Sequence, residues 1–241
     1  MTPPVRLART AGLYYLAVAV LGGFAHVVRT QVYVAGDPAT TLQHVTEHAT
    51  LVRLSFVADL ASATFMVFLV LALFRLLRDV DPPTARLMVM LVTVFVGIIS
   101  LNLVSQFGAL TVATEPAYAA LFGPDGSSGM VLLLMELQHT GYLVAQIFFG
   151  LWLLPLGRLV LRSGLFPRGI GLALIAAAAA YVVDVAFQLL APAGAATVSG
   201  AVIVPIVTLA ECSMLGYLLV KGVRSSPALP PASSDRPLVH A

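Results

Sequence analysis

Six apolar runs dictate what this chain can become. They cover residues 11–28, 51–77, 87–112, 130–156, 169–190 and 198–220. As a helix rising ~1.5 Å per residue, each is long enough to cross most or all of a hydrocarbon layer ~30 Å thick. Only 10% of the residues are charged, against about 25% in soluble domains. A water-soluble fold has no interior large enough to hide a chain that is 59% hydrophobic. The expected fold is therefore all-α: a polytopic membrane protein in which residues 1–224 form a single domain, a bundle of six transmembrane helices.

The polar segments punctuate that bundle. Asp37-Pro38 reads as a helix N-cap followed by proline at the first helical position. The segment it opens, 39–50, is expected to be a short extracytoplasmic surface helix between the first two spans. Residues 75–86, RLLRDVDPPTAR, form the turn after the second span. Segment 113–129 carries Glu115, Pro116, Gly123, Pro124 and Gly126 and no basic residue, so it is expected to be a loop. The tail 225–241, rich in Ser and Pro, is expected to be disordered. Arg6 and Arg9 flank the first run as in a signal peptide, but Ala17-Val18-Ala19 lies too early for a cleavage site. The run is expected to stay as the first span.

Basic residues set the expected orientation. Arg6, Arg9, Arg75, Arg78, Arg86, Arg158, Arg162, Arg168, Lys221, Arg224 and Arg236 fall on one side, and Arg29 and Arg53 on the other. That bias places both termini in the cytoplasm. The net charge of +2 is small and dispersed, so no nucleic-acid partner is implied and the expected partner is the lipid bilayer. The one cysteine, Cys212, excludes an intrachain disulfide and reads as a packing residue. The sequence names no cofactor and no oligomeric state.

Candidate site residues stand out because an ionisable group inside a span costs ~2.5–3.5 kcal/mol on insertion scales. Glu136, His139, Leu143, Gln146 and Gly150 fall within an arc of roughly 80° on the fourth span. Asp59 shares a stripe with Ser55, Ser62 and Met66, and Asp184 with Tyr181 and Gln188. Glu211 follows Thr208, and the third span adds Asn102 and Gln106. Counted from the expected outer ends, these groups lie ~8 to ~18 Å deep, with Glu211 the deepest. The expectation is one polar pocket in the outer half of the bundle. Its carboxylates must be protonated, paired with His139, Arg53 or His26, or bound to an ion.

Three functions follow from those alternatives. The favoured one is binding of a small polar, lipid or ion ligand, or of a proton, by Asp59, Glu136, His139, Asp184, Glu211, Asn102, Gln106, Gln146 and Gln188. Glu136-x-x-His139 points two ligands the same way and makes a candidate metal site, which, with His139 as a base, also allows a membrane enzyme. The third is a scaffold whose polar groups only fix helix register. His44 and His48, with Glu47 between them, read as a polar helix face rather than a zinc site. Pro155 and Pro205 read as kinks. Phe56-Val57-Ala58-Asp59 and Tyr181-Val182-Val183-Asp184 look alike, but an inverted repeat would put the two aspartates at opposite depths. The match reads as chance.

Five segments carry a family resemblance: Arg9-Thr10-Ala11-Gly12-Leu13-Tyr14-Tyr15-Leu16, Phe56-Val57-Ala58-Asp59-Leu60, Gln146-Ile147-Phe148-Phe149-Gly150-Leu151, Arg162-Ser163-Gly164-Leu165-Phe166-Pro167 and Tyr181-Val182-Val183-Asp184. Together they resemble the bacterial membrane family called domain of unknown function 4386, over nearly all the chain except the tail. The resemblance implies a multi-span protein of the bacterial inner membrane and no established activity.

Overall fold

The computed structural model describes residues 3–191 and 198–224; the expected tail, 225–241, lies outside them. Among the described residues eight α-helices follow in order: α1 (Pro3–Val32), α2 (Pro38–Glu47), α3 (Ala49–Leu77), α4 (Pro82–Thr114), α5 (Pro116–Leu151), α6 (Leu153–Ser163), α7 (Arg168–Leu190) and α8 (Val204–Val220), with a π-helical turn, Ser199–Ile203, just before α8. Among the described residues six segments are long and apolar enough to span a membrane. The protein is an all-α polytopic bundle. One end holds the arginine-bearing turn between α3 and α4, the basic end; the other holds α2, the α2 end.

Capping chemistry explains the helix starts. Asp37 accepts from the Thr40 amide at 3.0 Å, with proline at the first position of α2. Asp81 does the same for α4 through the Thr84 amide, at 3.2 Å. The short helix α2 turns Thr41 and Val45 inward and packs against α4 and α5.

Segment 113–129 is a correction. Apart from Glu115 it is helical, because Pro116 and Pro124 each open a helical stretch rather than end one. Gly123, at φ 68°, makes the bend between the two stretches inside α5. Further on, the proline at 155 cannot donate to Leu151, and the helix breaks at Trp152 into α6.

The half of the bundle toward the basic end is dry. Leu69, Leu73, Leu77, Met88, Trp152, Leu156, Leu159, Leu174 and Met214 are all buried there. Glycines let its helices approach closely. A Cβ on Gly157 would lie 2.7 Å from the carbonyl oxygen of Gly171, and one on Gly12 3.0 Å from the Leu219 backbone nitrogen. Toward the α2 end a separate small cluster, including Val28, Val45, Ala109, Val131 and Met135, holds α2 to the bundle.

Two predictions follow. Gly157→Ala should force α6 and α7 apart at a cost of about 1–3 kcal/mol, read as a lowered thermal midpoint in detergent, whereas Gly97→Ala, which meets nothing within 4 Å, should not. Acid sensitivity should report Asp81. Hydrogen bonds from Thr84, then the Arg162 guanidinium 2.5 Å away, hold its carboxyl below the usual range. A lowered folded pKa means stability that is complete above the unfolded value, near ~3.9, and lost as pH falls through the folded one. The thermal midpoint of Asp81→Asn should therefore lie below the wild type at pH 6 and converge on it near pH 2.

Candidate functional site

All six spans line one cavity of about 730 Å³, a volume within the range of ligand sites. Helix α1 supplies a continuous stripe: Tyr15, Val18, Ala19, Gly22, Gly23, His26, Arg29, Thr30 and Tyr33 all face it. That spacing is one helical face, and it makes the cavity ~27 Å long on this side. Its floor is aromatic. Tyr15 and Phe149 line it, and Trp152 lies beneath them with ring centroids at 6.2 and 6.4 Å.

Three carboxylates enter the cavity from three helices, and each is held differently. Asp59, on α3, forms an ion pair with Arg29, and both side chains are buried. The Arg29 guanidinium also lies 5.1 Å from the centre of the Tyr142 ring, a cation–π contact. Asp184, on α7, accepts from the amides of Gln146 and Gln188 at 2.8 Å each, both on the same oxygen. Glu211, on α8, accepts the hydroxyls of Tyr15 at 2.9 Å and Tyr181 at 2.7 Å, one on each oxygen. Gly150 sets the last contact. Its missing side chain lets Tyr181 cross α5 closely enough that a Cβ there would overlap the tyrosine's own, so the phenol reaches α8.

Charge does not balance here. Asp59, Asp184 and Glu211 face one guanidinium, that of Arg29, and neutral donors fill the remaining places. Neutral hydrogen bonds do not cancel the charge of a carboxylate, so two of the three acidic groups have no cationic partner and call for a proton or a cation. One buried donor is also idle. Gln138 lines the cavity at 3% exposure, and its Nε2 has no hydrogen-bond partner.

The other candidate residues lie elsewhere or act differently. His139 lines the cavity, stacked on Tyr33 at 5.6 Å. Glu136 does not line it, because the cavity face of α5 runs through 138, 142, 146 and 149 and leaves 136 at its edge. Asn102 donates to the Gln138 carbonyl at 2.7 Å, in the space left by Gly141, and so joins α4 to α5. Gln106 donates to Ser55 at 2.9 Å and joins α4 to α3. Among the described residues no three His, Cys, Asp or Glu side chains gather as a metal site needs, and Glu47 is engaged by Gln43 at 2.8 Å.

Arg53, offered by the sequence as a partner for the carboxylates, lies in a separate groove with Thr111 and Tyr118. Arg29 takes that part. Tyr181 was already marked by its spacing, one turn from Asp184, whereas Tyr15 and Tyr142 were not singled out.

Comparison with known families gives one result. The model of the family described as Domain of unknown function (DUF4386) matches residues 10–222. No curated protein and no solved structure matches the chain. The matched stretch takes in every span and every cavity residue named above, and the chain belongs to the DUF4386 family.

Proposed function

We propose that this protein binds a small organic ammonium ligand in the cavity, with Asp184 and Glu211 as its counter-charges. One observation carries the reading: three carboxylates converge on a cavity that holds a single guanidinium. An ammonium group near Glu211 would meet Tyr15, Phe149 and Tyr181, a set of aromatic faces suited to cations. The unpartnered Gln138 amide offers a donor for a hydroxyl or carbonyl elsewhere on the ligand. By the distribution of basic residues, the α2 end faces away from the cytoplasm, in a bacterial inner membrane.

The scaffold reading fits less of this. A network built only to fix helix register has no use for a void of this size, or for a buried donor left idle. The enzyme reading needs His139 oriented by a carboxylate. Its ring stacks on Tyr33 instead, and among the described residues no carboxylate hydrogen-bonds to it.

Trp152 provides the assay. It is the one tryptophan in the chain and packs under the cavity floor. Titration of the purified protein with butylammonium should shift its emission saturably and raise the thermal midpoint, with sodium as the control. Glu211→Gln and Asp184→Asn should each weaken binding by about tenfold or more, ~1.4 kcal/mol. An unchanged emission and midpoint, or undiminished binding in both variants, would refute the proposal.

The Arg29–Asp59 pair is predicted to be structural. Arg29→Met should cost about 3–5 kcal/mol by stranding a buried carboxylate, and Arg29→Met with Asp59→Leu should recover most of it, as read by thermal midpoints in the same detergent.

A further inference from the structure

Helices α1 and α8 are pressed together at the basic end and separate toward the α2 end. At the basic end Gly12 lies against Leu219, Gly222 against Val5, and Arg9 donates to the Val220 carbonyl at 3.2 Å. At the level of Tyr15 and Glu211 the two helices are still bridged by a hydrogen bond, at 2.9 Å. Beyond it, no hydrogen bond joins them among the described residues, and α1 makes no close approach to the π-helical turn that leads into α8.

The residues at this divergence line the cavity and are exposed at the same time. On α1 they are Ala19, Gly23 and His26; on α8 they are Val204, Thr208 and Cys212. A side chain at Gly23 would meet nothing within 4 Å. On each helix these positions are about one turn apart, and the two helices run antiparallel. They frame a slot that begins just above the Tyr15–Glu211 bridge and runs toward the α2 end. Because α1 and α8 are both long and apolar enough to span, a slot between them would open on the acyl chains of a bilayer.

We infer that this slot is a lateral portal, through which a lipophilic amine enters the cavity directly from the bilayer. The inference rests on the ammonium reading above and gives the ligand its class. A charged head is drawn to Asp184 and Glu211, and the apolar walls of Ile99, Leu143, Ile203 and Val207 accept the hydrocarbon body. Such a ligand is concentrated in the membrane by partitioning. It crosses no aqueous gate, and its ammonium reaches Glu211 near the middle of the span without passing Arg29, ~21 Å away along α1.

Cys212, the one cysteine, lies at the edge of the slot and is exposed, so the natural chain carries its own reporter. A nitroxide attached there in proteoliposomes should collide with dissolved oxygen, which partitions into lipid, several-fold more often than with a water-soluble nickel chelate. Closing the slot should slow entry. In Gly23→Phe, association of decylammonium followed through Trp152 emission should fall about tenfold or more, while the affinity for butylammonium stays within about threefold. Gly23→Ala should behave as the natural chain does. Equal access of the nickel chelate to Cys212, or an unchanged decylammonium rate in Gly23→Phe, would overturn the portal. If butylammonium binds and decylammonium does not, lateral entry fails and the ammonium reading stands; if neither binds, both fall.

Discussion

A carboxylate inside a lipid bilayer must be met by something other than lipid, and the cavity half of this bundle is built around three such demands. Asp59 is met by a full positive charge, that of Arg29. Asp184 and Glu211 are met by neutral amides and phenols. The two solutions differ in kind. An ion pair of this sort is self-sufficient, whereas a carboxyl group met only by neutral donors has no cationic partner of its own and stays receptive to a cation or a proton. Function is best sought at the second kind, and the first kind is best understood as the fastening that holds α1 to α3.

The floor of the cavity divides the molecule mechanically. Toward the basic end, aliphatic side chains and close glycine crossings leave no space between helices, so that half is a rigid base. Trp152, Phe149 and Tyr15 cap it, joined edge to face or tilted. Above them the helices stand around a void, packed through a separate apolar cluster at the α2 end and joined by polar groups: Asn102 to α5, Gln106 to α3, Arg29 to α3, Gln146 to α7, Tyr181 to α8. A cavity can be kept open in a bilayer only if its walls are anchored beneath and stitched above, and the sequence divides its residue types along that line.

Much of the span architecture was legible because hydropathy over 18 or more residues is a strong signal, and an N-cap such as Asp37-Pro38 carries its own chemistry. The segment 113–129 was not legible as helix: its prolines and glycines read as breakers, yet Pro116 and Pro124 sit where a helix tolerates them, at its first turn. Carboxylates, being costly in lipid, announced Asp59, Asp184 and Glu211. What they bond to was far less visible. Arg29 was absorbed into an account of membrane orientation, and the tyrosines carry their polar atom at the far end of an apolar ring. On α5 the expected stripe of His139, Leu143 and Gln146 lines the cavity, and only its end members Glu136 and Gly150 do not. Partners across helices are set by rotation and depth, and one strand of sequence contains neither.

The placement of charge along the cavity also argues for a direction of binding. Arg29 and Asp59 form a neutral pair toward one end, and Glu211 lies about four helical turns of α1 further in. Between them stand Gln138, Gln146 and Gln188, which have amide dipoles but no charge. A neutral pair at the mouth neither attracts nor repels an ammonium strongly, because its two fields nearly cancel at a distance of several ångströms. The carboxyl group without a cationic partner lies deep, beside aromatic rings. On the ammonium reading proposed above, a cation in this cavity would lower its energy by moving inward to an ionised Glu211, whichever opening it came through.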